Sequence, residues 1–337
     1  SRSIRHCMRL DGDNSIYKGR LFSRQCLCKP LWYWSAGRAG RQWQSGLQGM
    51  PGLRPLQSPP PSQSAWHIHP VLSRMFNFLC QRRRDKQLRE FEMPQAEWRH
   101  LLAQPVFAGL SADEQERLRE LTIWFLYDKS IFGVDDYQLT PYQKLAIAAQ
   151  ACLPILNLGI DSYGDWQSVV VYPSSFRRSA RYTDHNGLAH EQQQWLAGEA
   201  CGDGPVLLAW PDVAQSLRGG GYNVVIHEMA HKLDMKNGNA NGFPPLHDGM
   251  SQDAWTLEFK RAYLDFCQRV DRGEHTGINP YGATNPGEFF AVISEYFFEL
   301  PHWLQQLYPA LYQLLSQFYR QDPLARREAH QVARPGD

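Results

Sequence analysis

Residues 224–234 read VVIHEMAHKLD and contain the pattern H-E-x-x-H at positions 227–231. Positions i and i+4 of a helix lie about 40° apart around its axis and one turn apart along it, so the imidazoles of His227 and His231 can bind one metal ion. A chance helix with exposed histidines is the alternative. The apolar flanks predict a mostly buried helix instead, in which imidazole and carboxylate groups need partners. The pattern is therefore typical of a zinc site, with Glu228 as general base toward a water molecule.

A catalytic zinc site needs a third protein ligand and an open fourth position. The extension with a glycine and a third histidine after H-E-x-x-H is missing, because Asp234 and Asn237 stand at those positions. We predict that Asp234 accepts a hydrogen bond from an imidazole N–H, with a plain surface acid as the alternative. The other donors downstream are His247, Asp248, His275, Glu288 and Glu295. The first three fall in predicted loops, where solvated side chains are expected.

Glu288 and Glu295 lie on a predicted helix, where a rigid ligand belongs. Residues seven apart share a helix face within about 20° but lie about 10.5 Å apart along the axis, so only one of the two can reach a given zinc. Glu288 also has a structural alternative, because it follows Asn285 and Pro286 in a helical first turn, where an acid satisfies the helix N-terminus. Periodicity alone leaves both glutamates open as the third ligand.

The rest of the chain predicts an α+β fold. A Ser-to-Glu capping box opens a helix at Ser111, and Thr140 followed by proline opens a second one. Runs of β-branched and apolar residues at 169–172 and 206–210 predict strands, and we expect one or two more strands between them. Four helices are predicted downstream, at 222–236, about 251–271, 286–299 and 302–319. The predicted architecture is a small sheet with a mainly helical C-terminal half.

Charge divides the chain of 337 residues unevenly. Residues 1–74 hold 11 of the 35 Lys and Arg but only two of the 34 acids, which leaves residues 75–337 with 24 basic and 32 acidic residues. The acidic body argues against nucleic acid as a direct ligand, because phosphate binding requires clustered positive charge. The basic head is predicted to be a solvated tail, with weak nucleic-acid binding as the alternative.

The composition of the head also separates it from the body. It is rich in Arg, Gly, Pro and Ser, ends near the run SPPPS at 58–62, and has no helical or strand period. At Met75 the composition changes to a stretch that is first apolar and then basic. We therefore predict a disordered basic N-terminal extension over residues 1–74 and one zinc-peptidase domain over residues 75–337.

Cysteine usage and hydropathy indicate the cytoplasm. The seven cysteines are odd in number, and the only close pair, Cys26 and Cys28, fits neither a disulfide framework nor a zinc knuckle. The richest apolar run, 145–160, is interrupted by Gln150 and Asn157, so we expect a core helix there and no membrane span. No signal-peptide pattern is present near the start.

Residues 281–291, YGATNPGEFFA, resemble the zinc-peptidase domain of anthrax lethal factor. Together with HEMAHKLD at 227–234 and SEYFF at 294–298, they resemble the Mlc titration factor A family, also called the DgsA anti-repressor family. The resemblance extends from about Met75 to the C-terminus, through LPIL at 153–156 and QDPL at 321–324, and excludes residues 1–74.

This resemblance implies a gluzincin-type zinc metallopeptidase. By its motif, His227, His231 and Glu288 are the zinc ligands and Glu228 is the base. Tyr281 is implied as a phenol over the site, where it can donate a hydrogen bond to the oxyanion of the tetrahedral intermediate. A turn tyrosine packed on the core is the alternative for Tyr281.

The resemblance also implies a biological role. Members of the family are associated with aminopeptidase activity on peptides and with binding the glucose-related transcriptional repressor Mlc in the bacterial cytoplasm. The rival hypothesis is a non-catalytic, repressor-sequestering protein whose zinc site is regulatory. Glu228 favours a competent site, since a vestigial one is expected to lose its base before the ligands that also support folding.

Overall fold

The computed structural model describes the backbone of residues 70–164, 166–183, 189–196, 198–200 and 204–332. Contacts divide the chain into two units between Asp85 and Lys86, and the description below concerns the second unit. The predicted boundary at residue 75 falls within the first helix. The predicted extension, residues 1–74, lies almost wholly outside the described residues, so both the extension and the boundary stay predictions.

Helices make up most of the described chain. They are α1 (Pro70–Glu90), α2 (Gln95–Leu102), α3 (Ala112–Asp128), α4 (Pro141–Cys152), α5 (Trp210–Ser216), α6 (Val224–Asp234), α7 (Gln252–Asp271), α8 (Pro286–Glu299), α9 (Pro301–Leu307), α10 (Pro309–Tyr319) and α11 (Pro323–Val332). Short 3₁₀ turns occur at Pro105–Phe107, Ile160–Tyr163, Met235–Asn237 and Pro280–Ala283. No helix in the described ranges combines the length and the hydropathy needed to cross a membrane.

The strands form one small mixed sheet and one hairpin. They are β1 (Ser130–Gly133), β2 (Ser168–Tyr172), β3 (Phe176–Thr183), β4 (Ala189–Leu196), β5 (Gly198–Ala200) and β6 (Val206–Ala209). The sheet has the order β1-β2-β6-β5, in which the first three strands are parallel and β5 runs antiparallel to β6. Strands β3 and β4 pair antiparallel with each other. The predicted α+β fold is confirmed.

Local sequence signals located several elements correctly. At the start of α3, the Ser111 hydroxyl accepts the N–H of Glu114, and the Glu114 carboxylate accepts the N–H of Ser111 in return. Thr140 and Gln143 form the same reciprocal cap on α4. The strands predicted at 169–172 and 206–210 are β2 and β6, and three strands rather than one or two lie between them.

Two elements differ from the prediction. The single helix predicted over 302–319 is wrong, because the chain turns at Tyr308 (φ −137°, ψ 69°) and restarts as α10 at Pro309. Proline lacks an N–H and its ring excludes the preceding turn, so it begins a helix rather than continuing one. Strand β1 was not predicted, since its four residues are too short to show an alternating pattern.

The core surrounds helices α6 and α8. Nearly every residue of α8 is buried, and α6 buries apolar side chains on all sides. The apolar run 145–160 is largely buried, as expected, but only its first half is helical, because α4 ends at Cys152 and turns follow. Aromatic rings close the other side of α8, where Trp255 packs on Phe290 and Phe318 with ring centroids 6.2 and 5.7 Å apart. The two helices are therefore held rigidly side by side.

Candidate metal centre

The helix with the H-E-x-x-H pattern begins at a buried polar cap. Asn223 is fully buried, and its side-chain oxygen accepts the N–H of Ile226 at 2.9 Å, which satisfies one of the orphan donors of α6. From this fixed start, His227 and His231 fall one turn apart. Their ring centroids lie 4.8 Å apart, and their Nε2 atoms lie 3.2 Å apart.

Glu288 reaches the same point from the first turn of α8. Asn285 caps that helix through its side-chain oxygen, which accepts the N–H of Glu288 at 3.0 Å. The carboxylate of Glu288 lies toward the imidazoles, with Oε2 3.0 Å from Nε2 of His227 and 3.3 Å from Nε2 of His231. The capping role is therefore filled by Asn285, and the Glu288 carboxylate faces the two histidines.

The three side chains fit a zinc ion. One ligand atom from each of His227, His231 and Glu288 lies within 4.8 Å of the other two. Two imidazole nitrogens 3.2 Å apart are close enough to share one proton or to bind one cation. Two imidazoles and one carboxylate form a donor set that catalytic zinc sites use.

Charges at the centre are strongly coupled. Burial raises the pKa of the Glu288 carboxyl, but hydrogen bonds from the two histidines outweigh burial and lower it overall. Burial lowers the pKa of His227, but its bonds with Glu288 and Glu295 and the charge of Glu228 raise it well above its ordinary value. The carboxylates around His227 therefore favour its protonated form, with which a metal ion would compete.

Glu295, the alternative third ligand, contacts the other nitrogen of the same imidazole. Its Oε1 lies 2.8 Å from Nδ1 of His227, and its Oε2 accepts the N–H of Asn223 at 2.5 Å. A carboxylate that accepts from Nδ1–H leaves the Nε2 lone pair for a metal. Glu288 and Glu295 thus contact the two nitrogens of one ring. Their shared helix face was visible in the sequence, but their division between the two nitrogens was not.

A third buried carboxylate on the same face of α8 was missed by sequence reasoning. Glu299 accepts the N–H of Gly221 at 2.8 Å and the side-chain amide of Asn223 at 2.9 Å. Burial raises its pKa to about 7, opposed by these two bonds and assisted by the nearby charge of Glu295. The spacing 288, 295 and 299 follows the helical period, so three glutamates on one apolar helix were the available signal.

Glu228 and Tyr281, the two residues implied to be catalytic, both lie near His227. Glu228 is 3% exposed, and its charge contributes to the raised pKa of His227. Tyr281 occupies the turn Pro280–Ala283, where the Asn279 side chain accepts its N–H at 3.1 Å. Its ring lies 6.1 Å from that of His227, between centroids, and is 40% exposed. The phenol is therefore a rim residue rather than part of the core.

Asp234 does not make the hydrogen bond predicted for it. Its Oδ2 accepts the backbone N–H groups of Asn241 and Gly242 at 2.8 and 2.7 Å. Its Oδ1 and the Nδ1 of His231 are buried, and within the described part of the chain neither has a hydrogen-bond partner. Asp234 thus binds a loop rather than an imidazole.

The loop donors downstream lie outside the centre. Asp248 and His275 are exposed, as expected. His247 is half-buried, stacks on Phe318 and lies 2.7 Å from its carbonyl oxygen, so the expectation of a solvated side chain was wrong for this residue. Its ring packs on α10 instead.

Comparison with known proteins places the centre in a family context. The model of the glucose-regulated metallo-peptidase M90 family matches residues 79–320. Mlc titration factor A of Klebsiella pneumoniae subsp. pneumoniae is 39% identical over 248 residues, which cover 73% of this chain and 92% of that protein. The protein of the same name from Escherichia fergusonii is 38% identical over 231 residues, covering 68% and 87%. That from Salmonella gallinarum is 40% identical over 234 residues, with the same coverage.

Proposed function

This chain belongs to the glucose-regulated metallopeptidase M90 family, and from that premise we propose that it hydrolyses peptides at a zinc ion held by His227, His231 and Glu288. The observation that carries the proposal is the convergence of two Nε2 atoms and one carboxylate oxygen within 4.8 Å, beside a buried glutamate. The family supports a metal ion, and the donor set supports zinc.

The residues of the centre have separate roles in the proposed hydrolysis. When bound, the ion supplies Lewis acidity, which makes water nucleophilic at neutral pH and polarises the scissile carbonyl. Glu228 takes the proton from the attacking water and passes it to the leaving amine. The low exposure of Glu228, at 3%, supports this role, because few water molecules compete for its carboxylate.

Tyr281 has the second proposed catalytic role. Its phenol O–H donates a hydrogen bond to the oxyanion that forms at the attacked carbonyl. Its ring lies 6.1 Å from that of His227, between centroids, and is 40% exposed, which keeps it beside the imidazole and accessible to a substrate. Glu295 orients His227 through its contact with Nδ1.

We propose aminopeptidase action, as the family resemblance implies. The test uses two peptides of one sequence, with a free and with an acetylated N-terminus, each measured with zinc, after chelation and after zinc is restored. Hydrolysis of the free peptide that disappears with chelator and returns with zinc is expected. Equal cleavage of both peptides contradicts the aminopeptidase assignment, and cleavage that survives chelation contradicts the zinc assignment.

A second function is supported by the relatives, which are named Mlc titration factor A. We propose that this chain binds a repressor of the Mlc type in the cytoplasm, in addition to its hydrolytic activity. Co-purification of an Mlc-type repressor with the wild-type chain and with Glu228→Gln tests this directly. Binding by both, with hydrolysis in the first alone, is expected. Repressor binding in a chain that hydrolyses no peptide under any metal condition supports the non-catalytic alternative.

A further inference from the structure

Asp234 stands at the last position of α6 and is fully buried. One of its oxygens accepts two consecutive backbone N–H groups, those of Asn241 and Gly242, at 2.8 and 2.7 Å. The carboxylate therefore ties the C-terminal end of the metal helix to segment 240–242 of the following loop.

That segment lies directly against the start of α8. A Cβ atom added to Gly287 would lie 2.8 Å from the carbonyl oxygen of Ala240. One added to Gly242 would lie 2.8 Å from the carbonyl oxygen of Pro286 and 2.3 Å from the ring of Phe259. The two backbone segments can approach this closely only because Gly242 and Gly287 have no Cβ atom. Gly242 also has φ +76°, which favours glycine. The backbones of 240–242 and 286–287 therefore fit together without a gap.

The segment is fixed from its other side as well. The indole N–H of Trp255, which is fully buried, donates to the carbonyl oxygen of Gly242 at 3.0 Å. Segment 240–242 thus lies between Asp234, Trp255 and the first turn of α8. The next residue of α8 is Glu288.

We propose that Asp234 is a positioning residue for Glu288: by holding segment 240–242 against Pro286 and Gly287, it sets where the Glu288 carboxylate meets the two imidazoles. The inference rests on the proposed function in taking Glu288 as a metal ligand. The Glu288 oxygen lies 3.0 and 3.3 Å from the two Nε2 atoms, so a displacement of the first turn of α8 by about 1 Å would spoil the shared coordination point.

The competing role for Asp234 is direct orientation of His231, three residues earlier. No hydrogen bond joins the described side chains of the two residues, since Nδ1 of His231 and Oδ1 of Asp234 are both without a hydrogen-bond partner. The two roles predict different results for Asp234→Asn. Holding the loop requires one acceptor oxygen, which asparagine retains, whereas orienting His231 requires the second oxygen, which asparagine replaces with an amide.

A double-mutant cycle on zinc affinity tests the proposal, with Zn²⁺ titrated against a chromophoric chelator in the full chain. Asp234→Ala should weaken zinc binding roughly 10- to 100-fold, the usual scale for partners outside the ligand set. Asp234→Asn should stay within about threefold of wild type. In a Glu288→Gln background, Asp234→Ala should change the remaining affinity by less than about threefold, because the ligand it positions is gone.

Three results of the same double-mutant cycle would overturn the proposal. An unchanged affinity in Asp234→Ala, an equal loss in Asp234→Asn, or an undiminished effect in the Glu288→Gln background overturns it. If Asp234→Ala does not fold, Gly287→Ala serves as the second variant, because the added Cβ pushes against Ala240 while Asp234 stays intact. Gly287→Ala should lose the same affinity for zinc. That loss should again be absent in the Glu288→Gln background. Normal affinity in Glu288→Gln alone is a different failure, that of the proposed ligand set.

Discussion

The two ends of helix α6 hold their histidines in different ways. At the N-terminal end, His227 is contacted on both ring nitrogens, by Glu288 and Glu295, and Glu295 is itself bound to the backbone of Asn223. At the C-terminal end, His231 contacts the centre through Nε2, while its buried Nδ1 has no hydrogen-bond partner among the described residues.

This difference separates two ways of building one metal site. The ring of His227 is fixed by a connected set of buried side chains before any metal arrives. The position of His231 depends on helix geometry and packing. A fully connected polar network is rigid but sensitive to each member, whereas a packed ring tolerates more change around it. At the N-terminal end, substitutions outside the ligand set should therefore act directly on the ring of His227.

Glu288→Gln should give the largest effect. Its carboxylate is the only charged ligand of the proposed set, so the purified variant should retain zinc at a small fraction of stoichiometry. Metal analysis after gel filtration measures this, with Glu295→Gln as the matched control on the same helix face. Retention of stoichiometric zinc by both variants would make Glu288 a structural residue of the helix N-terminus and move the third ligand elsewhere.

Glu295→Gln should have a smaller effect, on affinity rather than stoichiometry. An amide still accepts from Nδ1–H of His227 but no longer offers the charge that makes the imidazole a stronger ligand. We expect zinc affinity to fall roughly 10-fold or more, with most sites still filled at millimolar zinc. A chelator competition measures it. An affinity equal to wild type would show that the connected network at the N-terminal end of α6 has no influence on the metal.

Glu299 predicts a pH dependence of stability. Because its pKa in the folded chain is raised from 4.5 to about 7, the folded state binds more protons than the unfolded state between those values. Stability therefore falls as pH rises from about 4.5 to 7, by roughly 3 kcal/mol from this group alone. Urea unfolding of wild type and Glu299→Gln at pH 5 and 7.5 should show the steeper loss in wild type. Equal losses would mean that Glu299 is already ionised at pH 5.

Deleting residues 1–74 should give the smallest effect. This segment shows no apolar period in the sequence, and every residue proposed for the centre lies beyond it. Zinc content and the rate of peptide hydrolysis should match those of the full chain. Loss of soluble expression or of metal on truncation would show that the segment belongs to the fold.

What the sequence predicted well depends on short-range chemistry. The caps at Ser111 and Thr140 are contacts between residues three apart, so their patterns are legible without a structure. The same holds for the spacing of the two histidines on one helix. The helix break at Pro309 was missed, although proline begins helices and does not continue them, so a local signal for it was present.

What the sequence left open depends on long-range placement. Glu288 and Glu295 share a helix face, but which nitrogen of His227 each one meets is set by the packing of α6 on α8. The same packing directs Glu299 to Gly221 and Asn223. Asp234 accepts hydrogen bonds from a loop backbone because segment 240–242 folds back against the end of α6. No local sequence pattern predicts this contact.

The most direct test of the central account is Glu228→Gln, measured for zinc content and peptide hydrolysis in the same preparation. The glutamine keeps the size of the side chain and leaves His227, His231 and Glu288 unchanged. Zinc should therefore remain stoichiometric, while hydrolysis falls by a factor of roughly 10² or more, the scale for losing a positioned general base. Near-normal hydrolysis with zinc bound would contradict the account, because the proton would then be handled by another group.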